Sequence, residues 1–240
     1  MSLWLRPVGA ATDTGTVLVC FPPGGGGSMS FHPWREVLPP AVTALAVCPP
    51  GRGTRLGEPP VGTVAEFVDA VVEAIRQRRP RRLLLAGVSL GGLLAFETCR
   101  ALEAADTPVG LLTVIAAVPP ACYPGTPADR SPEAVGALVV EWGLTDPELL
   151  THPEFAELVL PPVITDLQLG DGYDGRHATP VGTPVLAVAG TADPIAPPEV
   201  VRGWRAATTD RCTLDTVDGG HFLHHVHGPW LLSRMLEETR

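Results

Sequence analysis

The chain contains no lysine: all 17 of its basic residues are arginine, and 26 acidic residues outnumber them. The net charge of −9 argues against nucleic acid or an anionic membrane surface as the main partner. No apolar run approaches the ~18 residues of a membrane span, so we expect no membrane contact. The N-terminal segment has no cationic start followed by an apolar stretch, which predicts no secretory signal and a cytoplasmic protein.

Cysteine pairs are also lacking. The five cysteines are odd in number, have no C-x-x-C spacing and mostly fall within apolar runs, so we predict buried free thiols. Low-complexity segments and internal repeats are absent, and apolar residues make up 45% of the chain. This composition is typical of an ordinary globular protein, and we expect one domain over residues 1–240.

Short apolar runs bounded by glycine and proline recur along the chain and predict strands buried on both faces. These runs are 17–21, 44–48, 83–88, 111–118, 185–189 and 212–217. Helical spacing of apolar residues occurs between them, at 64–79, 91–104 and 222–237. The alternation predicts an α/β fold with a mostly parallel central sheet and helices on both faces.

One interval breaks this alternation. More than sixty residues separate the predicted strands 111–118 and 185–189, with helix-like pieces at 131–142 and 155–173. Connections in compact domains are usually much shorter, and long ones often cover an active site. We therefore predict an inserted helical lid at approximately 119–180.

The stretch Gly87-Val88-Ser89-Leu90-Gly91 lies between an apolar run and a predicted helix. This G-x-S-x-G pattern is typical of a nucleophile elbow, a strained turn that exposes the serine hydroxyl. Bulky residues at either glycine are expected to collide with the following helix. The turn would aim the Leu90 N–H at the position where negative charge forms.

A serine nucleophile needs a base, and the chain has seven histidines. In this kind of sheet the order is serine, acid, histidine, with the histidine on a loop after the last strand. His221 fits this position, because it follows a predicted strand and two glycines. We expect His224, His225 and His227 to be surface or packing residues. A metal site in this cluster is not favoured, because the cluster lacks the Glu or Cys neighbours typical of a zinc site.

The acid that orients the histidine should also lie at the carboxyl end of a strand. Asp193 follows the run 185–189, whereas the end of 111–118 offers no carboxylate before Asp129. Asp218 is too near His221 in sequence to be the obvious partner. Asp193 is the predicted acid, and a structural loop cap is its alternative role.

A second oxyanion donor is expected from the glycine-rich loop that follows the first long strand. In Phe-Pro-Pro-Gly-Gly-Gly-Gly-Ser, beginning at Phe21, the absence of side chains lets a backbone N–H such as that of Gly24 approach a ligand. A flexible linker and a phosphate loop are the alternatives. No G-K-[ST] follows, which weakens the phosphate interpretation.

Together these motifs resemble the discrete type II thioesterases that accompany polyketide synthases and nonribosomal peptide synthetases, members of the α/β-hydrolase superfamily. The resemblance covers nearly the whole chain. Besides the motifs above, it includes Phe31 with Trp34, the segment Pro50-Gly51-Arg52-Gly53-Thr54-Arg55 with Glu58, and Gly219-Gly220-His221-Phe222. This chain has Val88 and Leu90 where the family usually has His and Met, which predicts a different pocket shape. It has Gly24 where the family most often has Ala, and the Gly24 N–H is still expected to serve as a donor.

The resemblance implies that Ser89 attacks an acyl thioester on the phosphopantetheine arm of an acyl or peptidyl carrier protein. His221 would act as base, Asp193 would orient it, and Gly24 and Leu90 would form the oxyanion hole. It implies no metal and no cofactor beyond the arm of the partner. An oxygen-ester esterase and a catalytically silent carrier-binding module remain alternatives, and editing is not distinguished from product release or cyclisation.

Two groups of arginines invite a binding role. For Arg52 and Arg55, with Glu58, we favour an ion-paired loop brace over substrate binding. The basic run 76–82 precedes the strand that leads to Ser89. It is therefore expected at the sheet edge opposite the active site and is not assigned to docking.

Overall fold

A computed structural model of the chain describes residues 3–9, 15–123, 125, 126 and 128–239. Its strands are β1 (Leu5–Pro7), β2 (Thr16–Phe21), β3 (Val42–Val47), β4 (Arg82–Val88), β5 (Leu111–Ile115), β6 (Val185–Gly190) and β7 (Cys212–Val217). Its α-helices are α1 (Val64–Arg76), α2 (Leu90–Ala104), α3 (Pro132–Glu141), α4 (Pro147–Leu150), α5 (Pro153–Asp171), α6 (Pro198–Val201), α7 (Leu223–Val226) and α8 (Gly228–Glu238). Short 3-10 helices occupy Ser28–Glu36, Gly53–Arg55, Pro120–Cys122 and Arg202–Ala207.

The strands form one sheet in the order β1-β3-β2-β4-β5-β6-β7. All neighbouring pairs are parallel except β1 with β3, so the predicted mostly parallel α/β sheet is confirmed. The antiparallel β1 was not predicted, because its three residues include an arginine and a proline and form no apolar run.

Side chains alternate between two cores, one on each face of the sheet. Leu83 and Leu85 of β4 join the core that contains Phe67 of α1 and Phe96 of α2. Leu84 joins the opposite core, under α8 and the 3-10 helix Ser28–Glu36. This period of two along a strand buried on both faces explains the unbroken apolar runs in the sequence.

Element ends differ from prediction where the backbone turns. The strand expected to reach residue 118 ends at Ile115, because Ala116 adopts a positive φ of 49°. The helix expected over 222–237 is two helices, α7 and α8, since Pro229 lies in the first turn of α8 and cannot continue a preceding helix. The predicted helix 64–79 ends at Arg76, and Arg79 has a φ of 49°.

The cysteine prediction is wrong at two of the five positions. Cys20, Cys48 and Cys99 are buried, and burial raises the pKa of the Cys99 thiol to about 12. Cys122, however, is exposed at the end of a 3-10 helix, and Cys212 is half-buried at the start of the edge strand β7. No disulfide joins any of them.

Between β5 and β6 the chain leaves the sheet and forms α3, α4 and α5, which we call the insertion helices. Val135 and Val139 of α3 pack with Leu160 and Val163 of α5 in a small core of their own. In the described part of the chain, no helix has both the length and the apolarity to cross a membrane.

Candidate active site

Ser89 occupies the turn between β4 and α2. Its backbone has φ 54° and ψ −123°, a left-handed conformation that is costly for a residue with a side chain. The Ser89 N–H donates to the carbonyl of Ile115 on β5 at 2.9 Å, which holds the turn in place. The side chain does not cap α2.

Positions 87 and 91 require glycine because backbone atoms of other residues pass close to them. A Cβ on Gly87 would lie 2.1 Å from the carbonyl oxygen of Gly91, at the start of the following helix, as predicted. A Cβ on Gly91 would instead lie 2.4 Å from the carbonyl oxygens of Phe21 and Pro22. The second glycine therefore makes room for the loop after β2, not for the helix, which corrects the sequence argument.

His221 and Asp193 come together at the carboxyl ends of β7 and β6. Nδ1 of His221 lies 2.9 Å from Oδ2 and 3.0 Å from Oδ1 of Asp193, and both residues are buried. An ionised carboxylate can only accept, so Nδ1 carries the proton and donates it. In the neutral ring this leaves Nε2 with a free lone pair.

The Asp193 carboxylate is held in its charged form. Burial alone would raise its pKa, but the hydrogen bond and charge of His221, together with the backbone N–H groups of Ile195 and Ala196, lower it below the ordinary value. The two N–H groups donate to Oδ1 at 2.8 and 3.1 Å. Asp193 thus caps its own loop, which is the alternative role predicted from the sequence. It accepts the hydrogen bond from His221 at the same time.

Ser89 and His221 line one cavity of about 190 Å³, together with Gly24 and Leu90. The structure thus brings the predicted nucleophile, base and oxyanion donors to one space, with Asp193 behind the base. The remaining walls are largely apolar and come from the loops after β2, β6 and β7 and from the segment between β5 and β6: Pro23, Ala116, Val118, Tyr123, Arg130, Trp142, Leu144, Val163, Leu167, Gly170, Asp171, Ile195 and Phe222.

Sequence reasoning missed an ion pair in this wall. Nε and Nη2 of Arg130 donate to the two carboxylate oxygens of Asp171 at 2.7 and 2.8 Å, with 16% and 18% of the side chains exposed. The two residues are 41 positions apart and are joined only by the packing of the insertion helices. No motif in the sequence signals the pair.

The sequence predicts an ion-paired loop brace formed by Arg52, Arg55 and Glu58. In the structure the two arginines bind different carboxylates. Arg55 binds Glu58 at 2.6 Å, as expected, and its guanidinium also lies over the Trp4 ring. Arg52 instead binds Asp166 of α5, across 114 residues. A second cavity of about 390 Å³ lies beside Arg52 and shares Pro23, Gly24 and Val163 with the first.

The other C-terminal histidines take the roles expected of packing and surface residues. His224 is fully buried, with its ring 5.7 Å from that of Phe31, and neither ring nitrogen has a hydrogen-bond partner. Burial first, then the charges of His225 and His221, lower its pKa to about 3. Among the described residues, no three His, Cys, Asp or Glu side chains are placed to hold a metal ion.

Comparison with known proteins identifies the family of this chain. Residues 16–233 match the model of the thioesterase domain. The chain is 34% identical over 223 residues to the thioesterase PikA5 of Streptomyces venezuelae, covering 92% of this chain and 79% of that one. It is also 32% identical to the AMB antimetabolite synthetase AmbE of Pseudomonas aeruginosa, covering 92% of this chain but only 10% of that protein.

The fold matches as well. The type II thioesterase BorB from the borrelidin biosynthetic cluster superposes with a TM-score of 0.87 at 30% identity, covering 99% of this chain and 98% of BorB. Sequence and fold agree, and the chain belongs to the thioesterase family of α/β hydrolases.

Proposed function

We propose that the protein hydrolyses acyl thioesters carried on the phosphopantetheine arm of an acyl or peptidyl carrier protein, through an acyl-enzyme on Ser89. The observation that carries this proposal is the hydrogen bond from His221 Nδ1 to Asp193, because His221 lines the same cavity as Ser89. In a member of the thioesterase family, this leaves Nε2 free to accept the serine proton.

The reaction follows from these positions. Ser89 Oγ attacks the thioester carbonyl while His221 Nε2 takes its proton, and the N–H groups of Leu90 and Gly24 stabilise the oxyanion. The tetrahedral intermediate collapses, the C–S bond breaks, and the proton on His221 passes to the leaving thiolate. Water then attacks the acyl-enzyme with His221 as base, which releases the acid and restores Ser89.

The lining of the cavity favours an aliphatic acyl group. Apolar side chains such as Val118, Leu144 and Leu167 supply most of its wall, so an aliphatic chain loses little by entering it. Arg130 and Asp171 form an ion pair in that wall.

A comparison of leaving groups tests the thioesterase proposal. The wild type should hydrolyse an acyl-pantetheine thioester faster than the p-nitrophenyl ester of the same acid. In a second series, acyl groups of graded size on a carrier protein should show the chain length at which the cavity limits hydrolysis. Ser89→Ala should release no acid, and the wild type quenched during turnover should show the acyl adduct on Ser89 by mass spectrometry.

Two results would reject the proposal in favour of its alternatives. Faster hydrolysis of the oxygen ester across all acyl groups would identify an esterase. Failure of a fluorophosphonate probe to label Ser89 in the folded wild type would identify a catalytically silent carrier-binding module.

A further inference from the structure

The loop that carries the proposed oxyanion donor has no side chains of its own to hold it. Residues 24–27 are all glycine, the residue with the greatest backbone freedom. An oxyanion hole works because its donors are fixed before the reaction starts. We propose that Asp166 and Arg52 are positioning residues that hold this loop in its productive shape. The proposal rests on the proposed function of the Gly24 N–H.

One ion pair holds the loop from both sides. Asp166 Oδ2 accepts the N–H of Gly25 at 2.8 Å, directly after the donor residue. Arg52 binds the same carboxylate through Nη1 at 2.5 Å and Nη2 at 2.6 Å, and its Nη1 also donates to the Gly26 carbonyl at 2.9 Å. The Gly26 N–H closes the turn onto the Pro23 carbonyl at 2.8 Å.

The surroundings make this network stiff. The Arg52 and Asp166 side chains are only 8% and 13% exposed, so their paired, charge-assisted hydrogen bonds face little competition from water. Gly25 has a φ of 76°, and a Cβ there would lie 2.4 Å from Cγ2 of Val163. Val163 and Asp166 are three residues apart on α5 and face the loop together, so α5 packs directly against it.

Asp166 can be tested without removing a substrate contact. Its side chain forms part of neither of the two cavities described above, whereas Arg52 lines the second one. A residue that only fixes an oxyanion donor should affect the transition state more than the bound substrate. Its loss should therefore lower kcat and leave KM nearly unchanged.

The experiment compares Asp166→Ala and Asp166→Asn with Asp174→Asn, which removes an exposed ion pair with Arg176 at the end of the insertion. The readouts are kcat and KM on a p-nitrophenyl ester and on an acyl-pantetheine thioester. Affinities are also measured for an alkyl boronic acid, whose adduct on Ser89 presents an oxygen to the donors, and for the matching carboxylic acid.

We expect Asp166→Ala to lower kcat by about 10- to 100-fold, below the loss seen on deleting a donor outright, with KM within about twofold. Boronic acid affinity should fall in proportion to kcat while carboxylic acid affinity stays. Asp166→Asn, which keeps an acceptor for the Gly25 N–H, should lose less, and Asp174→Asn should match the wild type.

The proposal is overturned if Asp166→Ala keeps kcat within about twofold of the wild type. It is also overturned if boronic and carboxylic acids lose affinity equally, since that indicates a loosened cavity. Should Asp166→Ala not fold, the comparison of boronic and carboxylic acid affinities is applied to Asp166→Asn, and equal losses overturn the proposal. Ester hydrolysis and boronic acid binding use the same donors whatever the natural substrate, so a wild type inactive on thioesters would reject the proposed function but not this inference.

Discussion

Gly87, next to the Ser89 turn, and Gly24, in the loop after β2, make a matched pair for substitution. A Cβ on Gly87 would meet backbone atoms of Gly91 and Gly92 at 2.1 to 2.6 Å, and neither can move without unwinding the start of α2. A Cβ on Gly24 would meet side-chain atoms of Asp166 and Leu90 at 3.8 Å or more. The same added methyl group is therefore a clash at one site and an ordinary contact at the other.

We predict that Gly87→Ala lowers the free energy of unfolding by about 3 kcal/mol or more, or prevents folding. Gly24→Ala should change it by less than about 0.5 kcal/mol and keep activity, because the backbone N–H remains. Urea denaturation and ester hydrolysis measure both variants. Equal stabilities would contradict the close backbone approach at Gly87.

His224 should make the protein less stable in acid. Its pKa is about 3 in the folded chain and near 6.5 when unfolded, so below about pH 6.5 the unfolded chain binds a proton that the folded chain does not. From this residue alone, the free energy of unfolding should therefore fall by about 1.4 kcal/mol for each unit by which the pH is lowered below about 6.5.

The variant His224→Phe isolates this effect, because the ring keeps its place near Phe31 and Phe222 but cannot bind a proton. We predict that its stability relative to the wild type improves steadily as the pH falls from neutral towards about 4. Urea denaturation across that range measures the difference. Parallel pH curves for the two proteins would show that His224 is accessible to protons in the folded state.

Among the elements, the Arg130–Asp171 pair joins the segment before α3 to the end of α5, and its two halves depend on each other. Removing one partner leaves the other charge 16% to 18% exposed and unpaired, whereas removing both leaves no orphan. We predict that Arg130→Met and Asp171→Leu each destabilise the protein more than the double variant does. Urea denaturation of all four proteins measures the coupling, and additive losses would count against it.

The sheet was predictable because each buried strand leaves a local signal. The runs that became β2, β4, β6 and β7 were located to within a residue or two, and Ser89, Asp193 and His221 follow three of these strands. Their catalytic roles remain predictions, but their position at one edge of the sheet follows from parallel strands whose carboxyl ends lie there.

Contacts between distant segments could not be predicted in this way. Asp166 lies 114 residues from Arg52 along the chain, and nothing around either residue marks the pairing. The position of α5, and with it this ion pair, depends on how the insertion packs. The same is true of Cys122, whose exposure depends on where the chain leaves the sheet.

At the scale of the whole molecule, the insertion has a much smaller core than either face of the sheet. The sheet is covered on both faces, whereas four buried residues form the centre of the insertion's own core. Apolar burial dominates stability, so the insertion should open at lower free energy than the sheet.

We predict that esterase activity is lost at a lower urea concentration than the far-UV circular dichroism signal, because α5 forms part of the cavity wall. Limited proteolysis under native conditions should cut first between β5 and β6, as mapped by mass spectrometry. Loss of activity only together with the sheet would mean that the insertion does not open separately.

Cys122 makes such opening measurable in the unmodified protein. Of the five cysteines it alone is exposed, and it lies where the chain passes from β5 into the insertion. A maleimide dye should react there well before it reaches the three buried thiols, whose neighbours exclude reagents. A fluorophore at that position can report opening of the insertion helices without any engineered residue.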